Sequence, residues 1–156
     1  MKKFIYVFLA LGILYPLKAQ NKKTLKKEVI QDVETQKKEL IEISDTIWRA
    51  AEIAFQETIS SETLIAYAKA NGFKVEQGVG EIPTAFVATF GSGKPVIGIL
   101  GEFDALPGIS QKAEPEKTPF KTGAAGHGCG HNLFGTASLG AAVAIKNLIA
   151  SGELKG

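Results

Sequence analysis

Both histidines and the only cysteine of this 156-residue chain fall within five positions, in the stretch Gly126-His127-Gly128-Cys129-Gly130-His131-Asn132. Imidazole and thiolate are the side chains that bind Zn²⁺ and similar divalent ions, and here they alternate with glycines that add no bulk between them. Glycine also lets the backbone take the tight or left-handed turns that aim several donors at one point. A metal site is the first expectation. The competing one is a glycine-rich turn that carries two surface histidines and a small buried thiol.

A second stretch could do chemistry with it. Gly101-Glu102-Phe103-Asp104-Ala105-Leu106-Pro107-Gly108 begins where the apolar run Val96 to Leu100 ends. Ligands in open α/β sheets bind at the carboxyl ends of strands. Glu102 and Asp104 are two apart, so extended backbone would project both carboxylates to one side, where they could ligate a metal or orient a metal-bound histidine. Turn chemistry ahead of Pro107 and Gly108 is the alternative. The polar segment Ile109 to Ala125, with Pro115 and Pro119, suits a loop at the mouth of such a site.

The elements that must position these stretches follow from periodicity. From Lys22 to about Phe55, Val29, Val33, Leu40, Ile43, Ile47, Ala50, Ala51 and Ala54 recur at helical steps, which predicts a long amphipathic helix with a break near Ser44 and Trp48 on its inner face. A second helix is expected to start at Ser60 or Ser61, capped by a hydroxyl, to bury Leu64, Ile65, Tyr67 and Ala68, and to stop at Asn71-Gly72. Phe73 to Glu76 alternates like a strand, Thr84 to Phe90 is β-prone, and Val96 to Leu100 reads as a central strand. Gly91-Ser92-Gly93-Lys94-Pro95 predicts a hairpin between the last two. Leu133 to Ala150 predicts a helix whose glycines and alanines permit close approach to a sheet. The fold class expected is an α/β layered domain.

Residues 1–19 read as a signal peptide: Met1-Lys2-Lys3, an apolar run from Phe4 to Leu14, and Ala19 before a cleavage point at Gln20. Export to a periplasm or beyond the cell is therefore expected, with no stable membrane anchor after cleavage. A lone exported cysteine has no internal disulfide partner, and metal ligation would protect it. Without Lys2, Lys3 and Lys18 the chain has 15 basic against 16 acidic residues, and nothing in that balance suggests a nucleic-acid partner.

The paired stretches Ile99 to Gly108 and Gly126 to Asn132 resemble the M20 family of metallopeptidases and amidohydrolases, in its branch of aminobenzoyl-glutamate and N-acyl amino acid hydrolases. Ile47-Trp48, Ala51-Glu52, Gly72-Phe73 and Ile82 to Phe86 are similar to that branch as well. The resemblance implies that residues 20–156 are the N-terminal portion of a layered α/β dinuclear-metal hydrolase domain. It implies two divalent ions, zinc or manganese, with Cys129 and His131 as ligands and Asp104 orienting the site. Glu102 takes the place of a histidine ligand of other branches and is not assigned as one; His127 faces substrate or packs, and Asn132 receives no catalytic duty. The implied substrate is an N-acyl amino acid, aminobenzoyl-glutamate or a small peptide, and a homodimer is compatible with a full-length protein.

The general-base glutamate, its acidic neighbour, two further histidines and a lid or dimerisation domain that the resemblance implies would all follow the last predicted helix, and none lies in these 156 residues. The expectation is a fragment of a longer hydrolase, inactive by itself. A truncated, non-catalytic metal- or peptide-binding module is the alternative. An anion cradle at the glycine-rich stretch is a weaker one, because no lysine follows in P-loop spacing.

Overall fold

The computed structural model describes residues 22–156. Within them run α1 (Lys22–Ala50), α2 (Thr58–Ala70), β1 (Lys74–Gln77), a 3₁₀ turn (Val79–Glu81), β2 (Phe86–Thr89) and α3 (His131–Ala150). The signal-peptide expectation lies outside the described residues.

The helical periodicity places the core. Ile43 and Ile47 of α1, Leu64, Tyr67 and Ala68 of α2, and Leu139 and Val143 of α3 form one buried cluster. Among the described residues α3 is the helix long and apolar enough to cross a membrane. Its stripe of Leu139, Val143, Ala144 and Leu148 is buried, as in a core helix. Close approach is real: a methyl at Gly140 would lie 2.9 Å from a Leu40 methyl of α1.

Two helix boundaries differ from those expected. α1 runs unbroken through Ser44, whose buried hydroxyl accepts a hydrogen bond from Asn132 Nδ2 at 3.0 Å. It ends at Ala50 because the next residues are drawn away: Ala51 has φ of 43° and the Glu52 carbonyl accepts from Ala105 N–H at 2.7 Å. α2 begins at Thr58, ahead of both serines proposed as caps. Its free amides are met instead by the Glu52 carboxylate, which accepts from Ile59 N–H (2.9 Å), Ser60 N–H (2.8 Å) and Ser60 Oγ–H (2.8 Å). An anion at the positive end of a helix serves where a capping hydroxyl does not. The other end is as expected. Gly72, at φ of 83°, donates to Lys69 O, and Phe73 N–H reaches back to Ala68 O.

The sheet is a correction. β1 pairs antiparallel with β2, Val75 opposite Ala88 and Glu76 opposite Val87, so the hairpin joins the first two β-prone segments, not the second and third. Val96 to Leu100 belongs to no strand and is exposed, Val96 by 84% and Leu100 by 73%. A run that is apolar on both sides needs neighbours on both edges and both faces, and the described residues do not supply them. The segment lines an open groove of about 580 Å³ with Phe90, Leu139 and Ile149 among its walls. The fold is thus mixed helix and strand, with a two-stranded sheet.

A polar network ties the three helices behind the core. The Asp32 carboxylate accepts from Asn147 Nδ2 (3.0 and 3.1 Å) and Gln36 Nε2 (2.7 Å), and the Tyr67 hydroxyl donates to Gln36 Oε1. Burial, with the negative charges of Glu39 and Asp32, pushes the Tyr67 phenol up from 10.0 to about 12. A phenol that ionises later in the folded than in the unfolded chain stabilises the fold fully below the unfolded value and loses that contribution as pH rises through the folded one. Stability should therefore fall between pH 10 and about 12, by about 3 kcal/mol from this group. Tyr67→Phe should flatten that decline in urea-unfolding midpoints measured across the window; an equal slope in both proteins would refute the assignment.

Candidate metal centre

Two backbone ladders bring the chemistry-bearing stretches together. Ile53 and Ala105 form a parallel bridge, and Leu106 exchanges hydrogen bonds with Gly126 (2.9 and 3.0 Å). Gly126 has to be glycine here, since a methyl would stand 2.5 Å from the Ile109 carbonyl oxygen. Gly135 in the first turns of α3 meets the other stretch: its methyl would lie 2.8 Å from Glu102 O and 3.2 Å from Phe103 Cβ. The small residues of α3 thus seat the helix that carries His131 directly against the segment that carries Glu102 and Asp104.

The result is a histidine held between two carboxylates. Asp104 Oδ1 accepts from His131 Nδ1 at 2.7 Å, and Glu102 Oε2 lies 3.1 Å from His131 Nε2. His131 is 17% exposed, Asp104 24% and Glu102 51%, so the Nε2 side of the ring faces the open side. Carboxylates accept only, which puts a proton on Nδ1 and makes Nε2 the nitrogen with a lone pair in neutral imidazole. A carboxylate that fixes ring and tautomer in this way is the usual support of a metal-bound histidine. Cys129, two residues earlier, carries an exposed thiol.

His127 does not join this group. Its Nε2–H donates to the Ile47 carbonyl at 3.0 Å, while Nδ1 is buried and meets no partner among the described residues. Burial pushes its imidazole below the ordinary value, only partly opposed by the Ile47 carbonyl and the charge of Asp104. The ring packs the glycine-rich stretch onto α1, which resolves the choice left open for it. It also lines a cavity of about 210 Å³ with Trp48, Ile109, Gln111 and Lys112. Asn132 is likewise structural, buried and bonded to Ser44. Trp48 is half-buried beside the loop, its ring edge-on to Phe120 with centroids 5.4 Å apart. It lies outside the core cluster expected to hold it.

Sequence reasoning missed the organiser of the Ile109 to Ala125 loop. The Gln111 side chain donates to the carbonyls of Lys112 (3.1 Å), Glu114 (3.3 Å) and Glu116 (2.7 Å) and accepts from Thr118 N–H (3.0 Å). One amide folds the segment back on itself, and no periodicity signals that.

Imidazole Nε2, a neighbouring carboxylate oxygen and a nearby thiol are a donor set that fits a divalent ion such as Zn²⁺. The fit is partial. Among the described residues no three His, Cys, Asp or Glu side chains converge as a complete set of ligands.

No protein-family profile matches the chain. Over 115 residues, 73% of the chain, it is 48% identical to one of the subunits of p-aminobenzoyl-glutamate hydrolase from Escherichia coli (strain K12). The chain spans 24% of that protein's length. The fold is similar to the crystal structure of a candidate aminohydrolase from methicillin-resistant Staphylococcus aureus, with a TM-score of 0.62 and 23% identity over 80% of this chain and 32% of that one. The homology agrees with the resemblance carried by the paired motifs.

Proposed function

We propose that this homologue of an aminobenzoyl-glutamate hydrolase supplies the first part of the metal centre of an exported amidohydrolase. Its proposed substrates are aminobenzoyl-glutamate, N-acyl amino acids or small peptides. The observation that carries the proposal is the 2.7 Å bond from His131 Nδ1 to Asp104, which leaves Nε2 free to ligate beside Cys129. Asp104 orients the ring, His131 and Cys129 hold an ion, and His127 anchors the stretch to the Ile47 carbonyl of α1. Two bound divalent ions, zinc or manganese, would activate water and polarise the scissile amide carbonyl. Export rests on residues 1–19, and assembly into an oligomer is supported by the relative's designation as one subunit of its enzyme.

The test uses the protein recovered from its producing cells and identified by peptides spanning Gly126 to Asn132. Hydrolysis of aminobenzoyl-glutamate and of N-acyl amino acids is measured as isolated, after chelation, and after return of Zn²⁺ or Mn²⁺. Activity lost on chelation and restored by metal is expected; no hydrolysis with any ion would overturn the proposal. For this stretch alone, a non-catalytic metal-binding module is favoured by the absence of a third convergent donor among the described residues.

A further inference from the structure

We propose that Glu102 is itself a metal ligand, sharing one divalent ion with His131 Nε2, while Asp104 only orients the ring. This rests on the metal-centre proposal above and adds a residue that it does not use. Asp104 takes the Nδ1 proton, so the neutral ring turns a lone pair toward Glu102 Oε2, another acceptor, 3.1 Å away. Two lone pairs do not face each other at hydrogen-bond distance unless something electropositive lies between them.

A proton or a metal ion could fill that role. An ion about 2.0–2.2 Å from both atoms, the usual Zn–N and Zn–O lengths, sets them about 3 Å apart for bond angles between square and tetrahedral. The observed spacing is that of two adjacent ligands. Three features favour the ion over a proton. The pair opens to solvent on the Glu102 side, 51% exposed, where an ion can enter. The Glu102 backbone is fixed against α3, as the 2.8 Å approach at Gly135 shows, so the carboxylate is aimed from a rigid base. An exposed thiol, Cys129, stands two residues from His131 as a further soft donor.

The experiment titrates Co²⁺ into the full chain and into E102Q, E102D and H131A, with calorimetry and visible absorption as readouts and circular dichroism to confirm folding. E102Q keeps the size of the side chain but not its charge, and E102D keeps the charge with a shorter reach. Co²⁺ binding about tenfold weaker or worse in E102Q, with the visible spectrum altered and helicity kept, is expected; E102D should fall between E102Q and the parent. Binding that is lost in H131A yet unchanged in E102Q and E102D would overturn the role of Glu102 and leave the metal centre standing. A drop in unfolding free energy for E102Q with Co²⁺ affinity unchanged would make the pair a structural imidazolium, and the proposal would fail. No Co²⁺ binding by the parent chain up to millimolar concentration would overturn the metal centre and Glu102 together.

Discussion

Replacing Ile47 by alanine is expected to destabilise the protein by about 3–4 kcal/mol. The side chain is fully buried, at 0% exposure, in the cluster made with Leu64, Tyr67, Leu139 and Val143. Three helices meet on it, so the space left by the lost carbons cannot be closed by moving one of them. Ile47→Val removes one methylene and should cost about 1 kcal/mol. The same residue couples the core to the site. Its carbonyl accepts from His127 Nε2 and from Ala51 N–H, the last bond before α1 gives way to the Glu52 segment. A shift of α1 into the cavity would move that carbonyl, and with it the anchor of Gly126 to Asn132. Urea unfolding measures the first effect and Co²⁺ titration of the folded variant the second. A cost below about 1 kcal/mol would mean that the helices are not packed on Ile47 as described.

The coupling also explains which parts of the molecule could be read from its sequence. Helical periodicity is a property of one segment, so the buried stripe of α2 and the course of α3 were legible. So was the Asn71-Gly72 stop, because glycine at a positive φ is a local requirement. The candidate site was legible in its residue types: Asp104 and His131 are 27 positions apart and do meet. What failed depended on partners distant in sequence. Nothing in Ala50-Ala51-Glu52 marks a helix end. The end is set by Ala105 pairing with the Glu52 backbone, and the same residue's carboxylate starts the next helix. The apolar run Val96 to Leu100 signals a demand for burial without naming the segments that would meet it. His127 looked equivalent to His131, and only the position of the Ile47 carbonyl separates a packing histidine from one offered to a ligand.

That distinction is sharpest at Asp104, where Asp104→Asn is expected to weaken divalent-ion binding by about 10–100-fold. The carboxylate can only accept, so its 2.7 Å bond selects the tautomer with the proton on His131 Nδ1. An asparagine amide can present either its oxygen or its NH₂ group to the same atom. With the oxygen inward, the bond survives but without the negative charge that raises the basicity of Nε2. With the NH₂ inward, it selects the opposite tautomer, and the proton then occupies Nε2, the atom the ion requires. Either arrangement lowers affinity, while the similar size of the two side chains leaves the packing around Ala105 and Gly135 undisturbed. Co²⁺ titration gives the affinity, and long-range ¹⁵N–¹H correlation of the His131 ring locates its proton. Equal affinity in the variant, with the ring proton still on Nδ1, would show that Asp104 joins two segments of the fold and does nothing for a metal.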